Sequence, residues 1–126
     1  MKRTLSFIFL TVLSFVVYAQ NNQQTLKVYS AREYVNLWSG NKLQAEQQYK
    51  NKLVAVSGTV LAVDRTIFGN VPYVDLDINI PFGGVTCEFP ESKVNTIINL
   101  KKGDRIIIVG YAESAFRIMN CYIRQE

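Results

Sequence analysis

The side chains able to do chemistry in this sequence are few. Two cysteines, Cys87 and Cys121, lie in apolar surroundings, and three carboxylates, Asp75, Asp77 and Glu88, fall close together. Arg65, Phe68, Tyr73, Phe116 and Arg117 stand near them as cations and aromatics that could hold a ligand. The chain contains no histidine, which removes histidine-dependent triads, histidine general bases and the usual zinc sites. Clustered carboxylates suit a divalent cation or paired-carboxylate glycoside chemistry. The simpler reading is a solvated strand face, since no calcium-loop spacing accompanies them. No residue is assigned a catalytic role, a metal or a cofactor, and the chain reads as a non-enzyme.

The elements that must position these residues follow from the pattern of apolar positions. Lys2 and Arg3 start the chain, Leu5 to Val17 is an apolar run, and Val17-Tyr18-Ala19 fits a cleavage site. This is the three-part pattern of a secretory signal over residues 1–19. The run is shorter than the roughly 18–20 apolar residues that span a bilayer, so cleavage at about Ala19 is expected rather than an uncleaved anchor. No cysteine near that point offers a lipid attachment, and no later stretch is apolar enough to cross a membrane. The mature protein is therefore expected in the periplasm or outside the cell. Loss of Lys2 and Arg3 lowers the formal charge from +4 and leaves 12 basic against 10 acidic residues. A charge this small argues neither for nor against a polyanionic partner.

Residues 20–27, amide-rich, read as a flexible tether, and residues 28–126 as one folded domain. Ser30 suits a helix N-cap, with Glu33 completing a capping box. Tyr34, Leu37 and Trp38 follow at helical spacing. That spacing assigns Trp38 to core packing rather than ligand stacking. Asn41 can cap a second helix, Lys42 to Tyr49, with Leu43, Ala45 and Tyr49 available for burial. From Lys52 the period changes to two. A long first strand, Lys52 to Asp64, carries Gly58 near its middle, and a loop over Arg65 to Val71 has Gly69-Asn70 as its turn.

A second strand from Pro72 to Ile78 points Val74, Leu76 and Ile78 inward and Tyr73, Asp75 and Asp77 outward. A third, Val85 to Phe89, points Val85, Cys87 and Phe89 inward and Thr86 and Glu88 outward. Glu91 to Leu100 shows helical spacing, with Gly103 as a left-handed C-cap and Lys101-Lys102 complementing the helix dipole. The fourth strand, Arg105 to Tyr111, is apolar enough for burial on both faces over part of its length. Ala112 to Ala115 is a tight loop, and Phe116 to Arg124 is the fifth strand. The expected fold is mainly β: a five-stranded OB-fold Greek-key barrel with a helix between strands three and four, preceded by an N-terminal helical segment.

In such a barrel the third and fifth strands are neighbours. Cys87 is in phase with Val85 and Phe89, and Cys121 with Met119 and Ile123, so both thiols are expected to point inward. In an exported protein an even pair suggests a disulfide, with buried free thiols as the alternative. The bond would close a loop of about 35 residues, stabilising by about 3–4 kcal/mol on the chain-entropy model.

The same residues carry a family likeness. Ser30-Ala31-Arg32-Glu33-Tyr34, Tyr49-Lys50-Asn51-Lys52 and Val56-Ser57-Gly58-Thr59-Val60 come first. Phe82-Gly83-Gly84-Val85-Thr86-Cys87-Glu88-Phe89, Leu100-Lys101-Lys102-Gly103-Asp104 and Asn120-Cys121 follow in order. Over residues 28–123 the chain resembles the exported bacterial OB-fold proteins called tRNA-anti-like. The resemblance implies an exported protein without an assigned activity and without shared catalytic residues. Many members carry a lipid-anchor cysteine, which is missing here. The family's name, taken from anticodon-binding domains, brings nucleic acid in as an alternative partner.

OB-folds bind across strands two and three, between the loops that flank them. The candidate ligand set is therefore Arg65, Phe68, Tyr73, Asp75, Asp77, Glu88, Phe116 and Arg117. Its acidic centre disfavours nucleic acid, which needs a basic groove with stacking aromatics. A glycan, peptide or protein of the cell envelope is the leading expectation.

Overall fold

The computed structural model describes residues 26–81 and 83–125. The expected export signal at 1–19, most of the expected tether and Phe82 lie outside these. No described helix is long and apolar enough to cross a membrane.

The chain opens with β1 (Val28–Ser30), which runs straight into α1 (Ala31–Leu37). Ser30 Oγ accepts from Glu33 N at 3.1 Å, and Ser30 N donates to Glu33 Oε1 at 2.9 Å, so the expected capping box is formed. The second helix, α2 (Lys42–Tyr49), starts on Asn41, whose Oδ1 accepts from Gln44 N at 3.1 Å. Ala45 is buried there, whereas Leu43, expected as a core candidate, is 74% exposed. Two residues are 200° of helix, so Leu43 and Ala45 cannot share a face.

The strands that follow are β2 (Leu53–Arg65), β3 (Pro72–Asp77), β4 (Gly84–Glu88), β5 (Arg105–Ser114) and β6 (Arg117–Arg124). The order β2-β3-β4-β6-β5, with β5 returning to β2, closes a five-stranded barrel, and β1 adds a parallel sixth strand beside Ala55 to Ser57. This is the OB-fold. The long strand serves both halves: Leu53 to Thr59 pair with β5, and Val60 to Arg65 pair with β3 across a bulge between Val60 and Ala62. Gly58 sits just before this change of partner, where the expected bend is required. The seam between β4 and β6 is parallel, with Cys87 opposite Ile118.

The interior is filled by Val54, Val56, Val60, Val74, Leu76, Val85, Cys87, Phe89, Ile108, Ile118 and Cys121. Ala31, Tyr34 and Trp38 of the N-terminal segment pack onto it, so Trp38 is a core residue. Tyr34 donates to Ser114 O at 2.6 Å, and burial pushes its hydroxyl well above the usual phenol range. Arg32 donates to Ile78 O at 3.0 Å. These contacts put α1 across one end of the barrel.

The other end differs from expectation. In place of a helix over 91–100, a 3-10 turn (Glu91–Lys93) leads into a single turn, α3 (Val94–Ile97). Only Ile97 is buried, while Ile98 faces solvent. Asn95, Thr96 and Asn99 favour turns over helix, and Thr96 Oγ1 donates to Lys93 O at 2.6 Å. Gly103 is left-handed at φ 99°, yet it belongs to the turn into β5, where Lys101 N donates to Asp104 Oδ2 at 2.9 Å. β5 runs to Ser114, beyond its expected end, so the hairpin turn is Ala115-Phe116.

One bulge sets the phase of β6. Tyr111 pairs with Met119 and Val109 with Tyr122, so Asn120 and Cys121 together face Gly110. Asn120 is left-handed at φ 54°, and the inward phase switches from Ile118 to Cys121 across it. The expected common phase of Met119, Cys121 and Ile123 therefore holds only after the bulge. Gly110 is required here, because a Cβ would lie 2.6 Å from Cys121 Sγ and 2.8 Å from Ile118 Cγ2. Gly110→Ala is expected to cost at least about 2 kcal/mol by overpacking. Gly58→Ala, whose Cβ would meet Leu76 at 3.2 Å, is expected to cost less. Denaturant midpoints of the two variants check this, and equal midpoints would contradict the close approach at Gly110.

Candidate functional site: the outer wall of β3 and β4

Strand alternation places Tyr73, Asp75 and Asp77 on the outside of β3, and Thr86 and Glu88 on the outside of β4. The register sets Tyr73 opposite Glu88 and Asp75 opposite Thr86. The N-terminal helices send their buried side chains into the core instead, and Tyr73, Asp75, Asp77 and Thr86 keep partial exposure. The loop after β2 and the β5–β6 turn flank this wall, bringing Phe68 and Phe116 to its rim.

The three carboxylates do not act as a cluster. Asp75 Oδ1 accepts from Thr86 Oγ1 at 2.7 Å, Asp77 Oδ1 accepts from Asn79 N at 2.8 Å, and Glu88 Oε2 accepts from Arg117 Nε at 2.6 Å. Asp77 thus braces the turn after β3, where Asn79 is left-handed at φ 62°. Glu88, expected outward and solvated, is only 7% exposed because it is closed in by its arginine partner. Among the described residues no group of three acidic or cysteine side chains could hold a metal ion. Desolvation raises the Asp75 carboxyl above its ordinary value, and the Thr86 hydrogen bond pulls it partly back.

The two arginines were expected as free rim cations, and both are engaged. Arg117 is taken by Glu88. Arg65 forms a two-pronged pair with Glu91, both contacts at 2.8 Å, and also donates to Asn70 O at 3.0 Å. The guanidinium holds the Glu91 carboxyl below its usual range. An arginine whose fork is filled by a carboxylate has little left for a phosphate.

The loop of residues 66–71 is braced from within. Thr66 N donates to Val71 O at 2.9 Å, Thr66 Oγ1 donates to Phe68 O at 2.6 Å, and Val71 N donates to Thr66 Oγ1 at 3.0 Å. Gly69 and Asn70 turn the chain at φ 84° and 55°, as their turn chemistry predicts. The result is a short, ordered loop whose tip carries Ile67 at 94% and Phe68 at 90% exposure. Phe116 across the wall is also exposed. Ile67 is absent from the residues picked out by sequence. Its signal was available: two bulky apolar residues directly before a Gly-Asn turn cannot both reach a core.

The expected disulfide is not formed. Cys87 and Cys121 are buried free thiols, donating to Val85 O at 3.8 Å and Ile118 O at 3.5 Å on their own strands. Across the seam Cys87 is opposite Ile118, and Cys121 follows three residues further along β6. Burial raises the Cys87 thiol well above its ordinary value, and hydrogen bonding with the neighbouring Cys121 adds to the shift.

The chain matches the tRNA_anti-like family over residues 1–125. It belongs to that family. The barrel is similar to a candidate nucleic acid-binding lipoprotein from Klebsiella pneumoniae subsp. pneumoniae MGH 78578, at TM-score 0.68 and 18% identity, covering 83% of this chain and 97% of that one. It is also similar to a chain from the crystal structure of yeast Stn1 and Ten1, at TM-score 0.50 and 13% identity, covering 81% and 64%. No curated protein matches it in sequence. At these identities the structural likeness establishes the fold that this family member shares with them.

Two outcomes follow from the wall and the seam. Native protein at neutral pH should resist iodoacetamide, because thiolate is the reactive form and burial suppresses it. Unfolded, unreduced protein should take up two alkyl groups, and intact mass reads both states. The second outcome concerns Asp75. Because its folded pKa is raised, its ionised form costs stability, and that cost is relieved as pH falls through the raised value. Thr86→Val removes the hydrogen bond favouring the ionised form, so the Asp75 titration, followed by carboxyl NMR, should move further up. A downward move would contradict the assignment of that bond.

Proposed function

We propose that this tRNA_anti-like protein is an exported, non-enzymatic binding module of the cell envelope. It takes a protein or peptide partner on the outer wall of β3 and β4, anchored by the Ile67-Phe68 tip and Phe116. The observation that carries this reading is the ordered, almost fully exposed apolar tip. Holding Ile67 and Phe68 out in water forgoes the benefit of burying them, about 1.5–3 kcal/mol each. The loop's internal hydrogen bonds reduce the ordering cost that a partner would otherwise meet.

Export rests on the signal-like pattern at residues 1–19. A cell-envelope setting draws support from the lipoprotein among the similar structures. The non-enzymatic reading draws on the missing histidine and on the separate engagement of Asp75, Asp77 and Glu88. A glycan could use Tyr73 on the same wall, but it would not explain the projecting Ile67.

A second reading, nucleic acid on this wall, is favoured by the aromatics Phe68, Tyr73 and Phe116 and by the description of the Klebsiella protein. Against it, both nearby arginines are committed to carboxylates.

A photocrosslinking residue placed at Phe68 or Phe116 should give one discrete adduct in envelope extracts, and the same residue at Gln47 on exposed α2 should not. Phe68→Ala should weaken the captured complex by about tenfold, the loss of one apolar anchor. Equal adducts from all three positions would remove the partner wall. Salt-sensitive oligonucleotide binding that falls with Phe68→Ala would favour the second reading.

A further inference from the structure

The wall formed by β2, β5 and β6 has its own apolar floor. Outward-facing Val109 and Ala55 are buried, at 2% and 0% exposure, yet neither belongs to the central core. Beside them Tyr111 and Tyr122 present exposed rings, on adjacent strands near the Asn120 bulge. Two adjoining clefts of about 600 and 630 Å³ open along this wall and share Arg124. Lys93 borders the first and Arg105 the second, and among the described residues no carboxylate lines either.

Among the described residues the only ion pairs are Arg65 with Glu91 and Arg117 with Glu88. Lys93, Arg105 and Arg124 therefore have no described carboxylate partner. The charge pattern differs from the β3–β4 wall, where Arg65 and Arg117 are each paired with a carboxylate. Aromatic platforms beside uncommitted cations are what a single strand of nucleic acid requires. Two clefts in succession suit a linear ligand.

We propose that the β5–β6 wall binds single-stranded nucleic acid, with Tyr111 and Tyr122 stacking on bases and Lys93, Arg124 and Arg105 following the phosphates. This site is separate from the partner wall on β3 and β4 and stands whether or not that wall has a partner.

The test is fluorescence anisotropy of the full chain with a fluorescein-labelled oligothymidylate of about 15 nucleotides, long enough to cross one barrel. Binding should weaken as salt rises from about 50 to about 200 mM, with a log-log slope near −2 for three phosphates neutralised on a single strand. Arg124→Ala and Tyr122→Ala should each weaken binding at least about fivefold. Tyr122→Phe should keep it, because the ring does the stacking, and Phe68→Ala should leave it unchanged. Thermal melts of the same variants show that these surface changes leave the fold intact. No binding at the lower salt would overturn the proposal. So would loss with Phe68→Ala but not with Arg124→Ala, which would move the strand to the β3–β4 wall. Tighter binding of polygalacturonate than of the oligonucleotide would assign the wall to an acidic glycan instead.

Discussion

Closure of the barrel depends on the short parallel seam between β4 and β6. Every other neighbour pair in the barrel is antiparallel and extends over more residues, while this one registers Thr86 with Arg117 and Cys87 with Ile118. Thr86 N donates to Phe116 O at 2.8 Å just before it. Little backbone bonding is available there, so side chains carry the join. Inside, Ile118 and Cys121 pack against the bare backbone of Gly110, with Cys87 in the same buried core. Outside, the Arg117–Glu88 pair spans the same two strands. The bulge at Asn120 lets β6 satisfy β4 on one edge and β5 on the other while keeping apolar side chains inward.

The two outer walls divide the polar chemistry of the surface. At the β3–β4 wall Arg65 and Arg117 are paired with carboxylates and Asp75 and Asp77 are hydrogen-bonded, while the apolar rim stays exposed. On β5 and β6 Arg105 and Arg124 have no carboxylate partner among the described residues, and Tyr111 and Tyr122 are exposed. A small net charge conceals this arrangement, because a sum over the chain says nothing about which cations already have carboxylates beside them.

Much of the barrel was legible because its strands announce themselves by alternation. The long strand was expected at 52–64 and runs from Leu53 to Arg65, and both N-terminal caps fall on Ser30 and Asn41. β1 leaves no signal in the sequence, because three residues carry no period. The apolar spacing over 91–100 suggests a longer helix than the chain forms, because Asn95, Thr96 and Asn99 are poor helix formers. The state of the site was less legible. Arg65 meets Glu91 and Arg117 meets Glu88 across separations of 26 and 29 residues, and no local pattern encodes such meetings. The cysteines illustrate the same limit. Their adjacency follows from topology, but their state as free thiols is not encoded in any local pattern.

The seam also bears on the order in which the chain can assemble. Its two halves are about 30 residues apart, and loop closure on that scale precedes any reward from contacts. β2, β3 and β4 can form a meander from local pairings alone. Until β6 arrives, β4 is an open edge with Val85 and Cys87 on its unfinished inner side, a template for pairing with another chain. The final eight-residue strand is thus the element that converts an aggregation-prone sheet into a closed, edge-protected barrel.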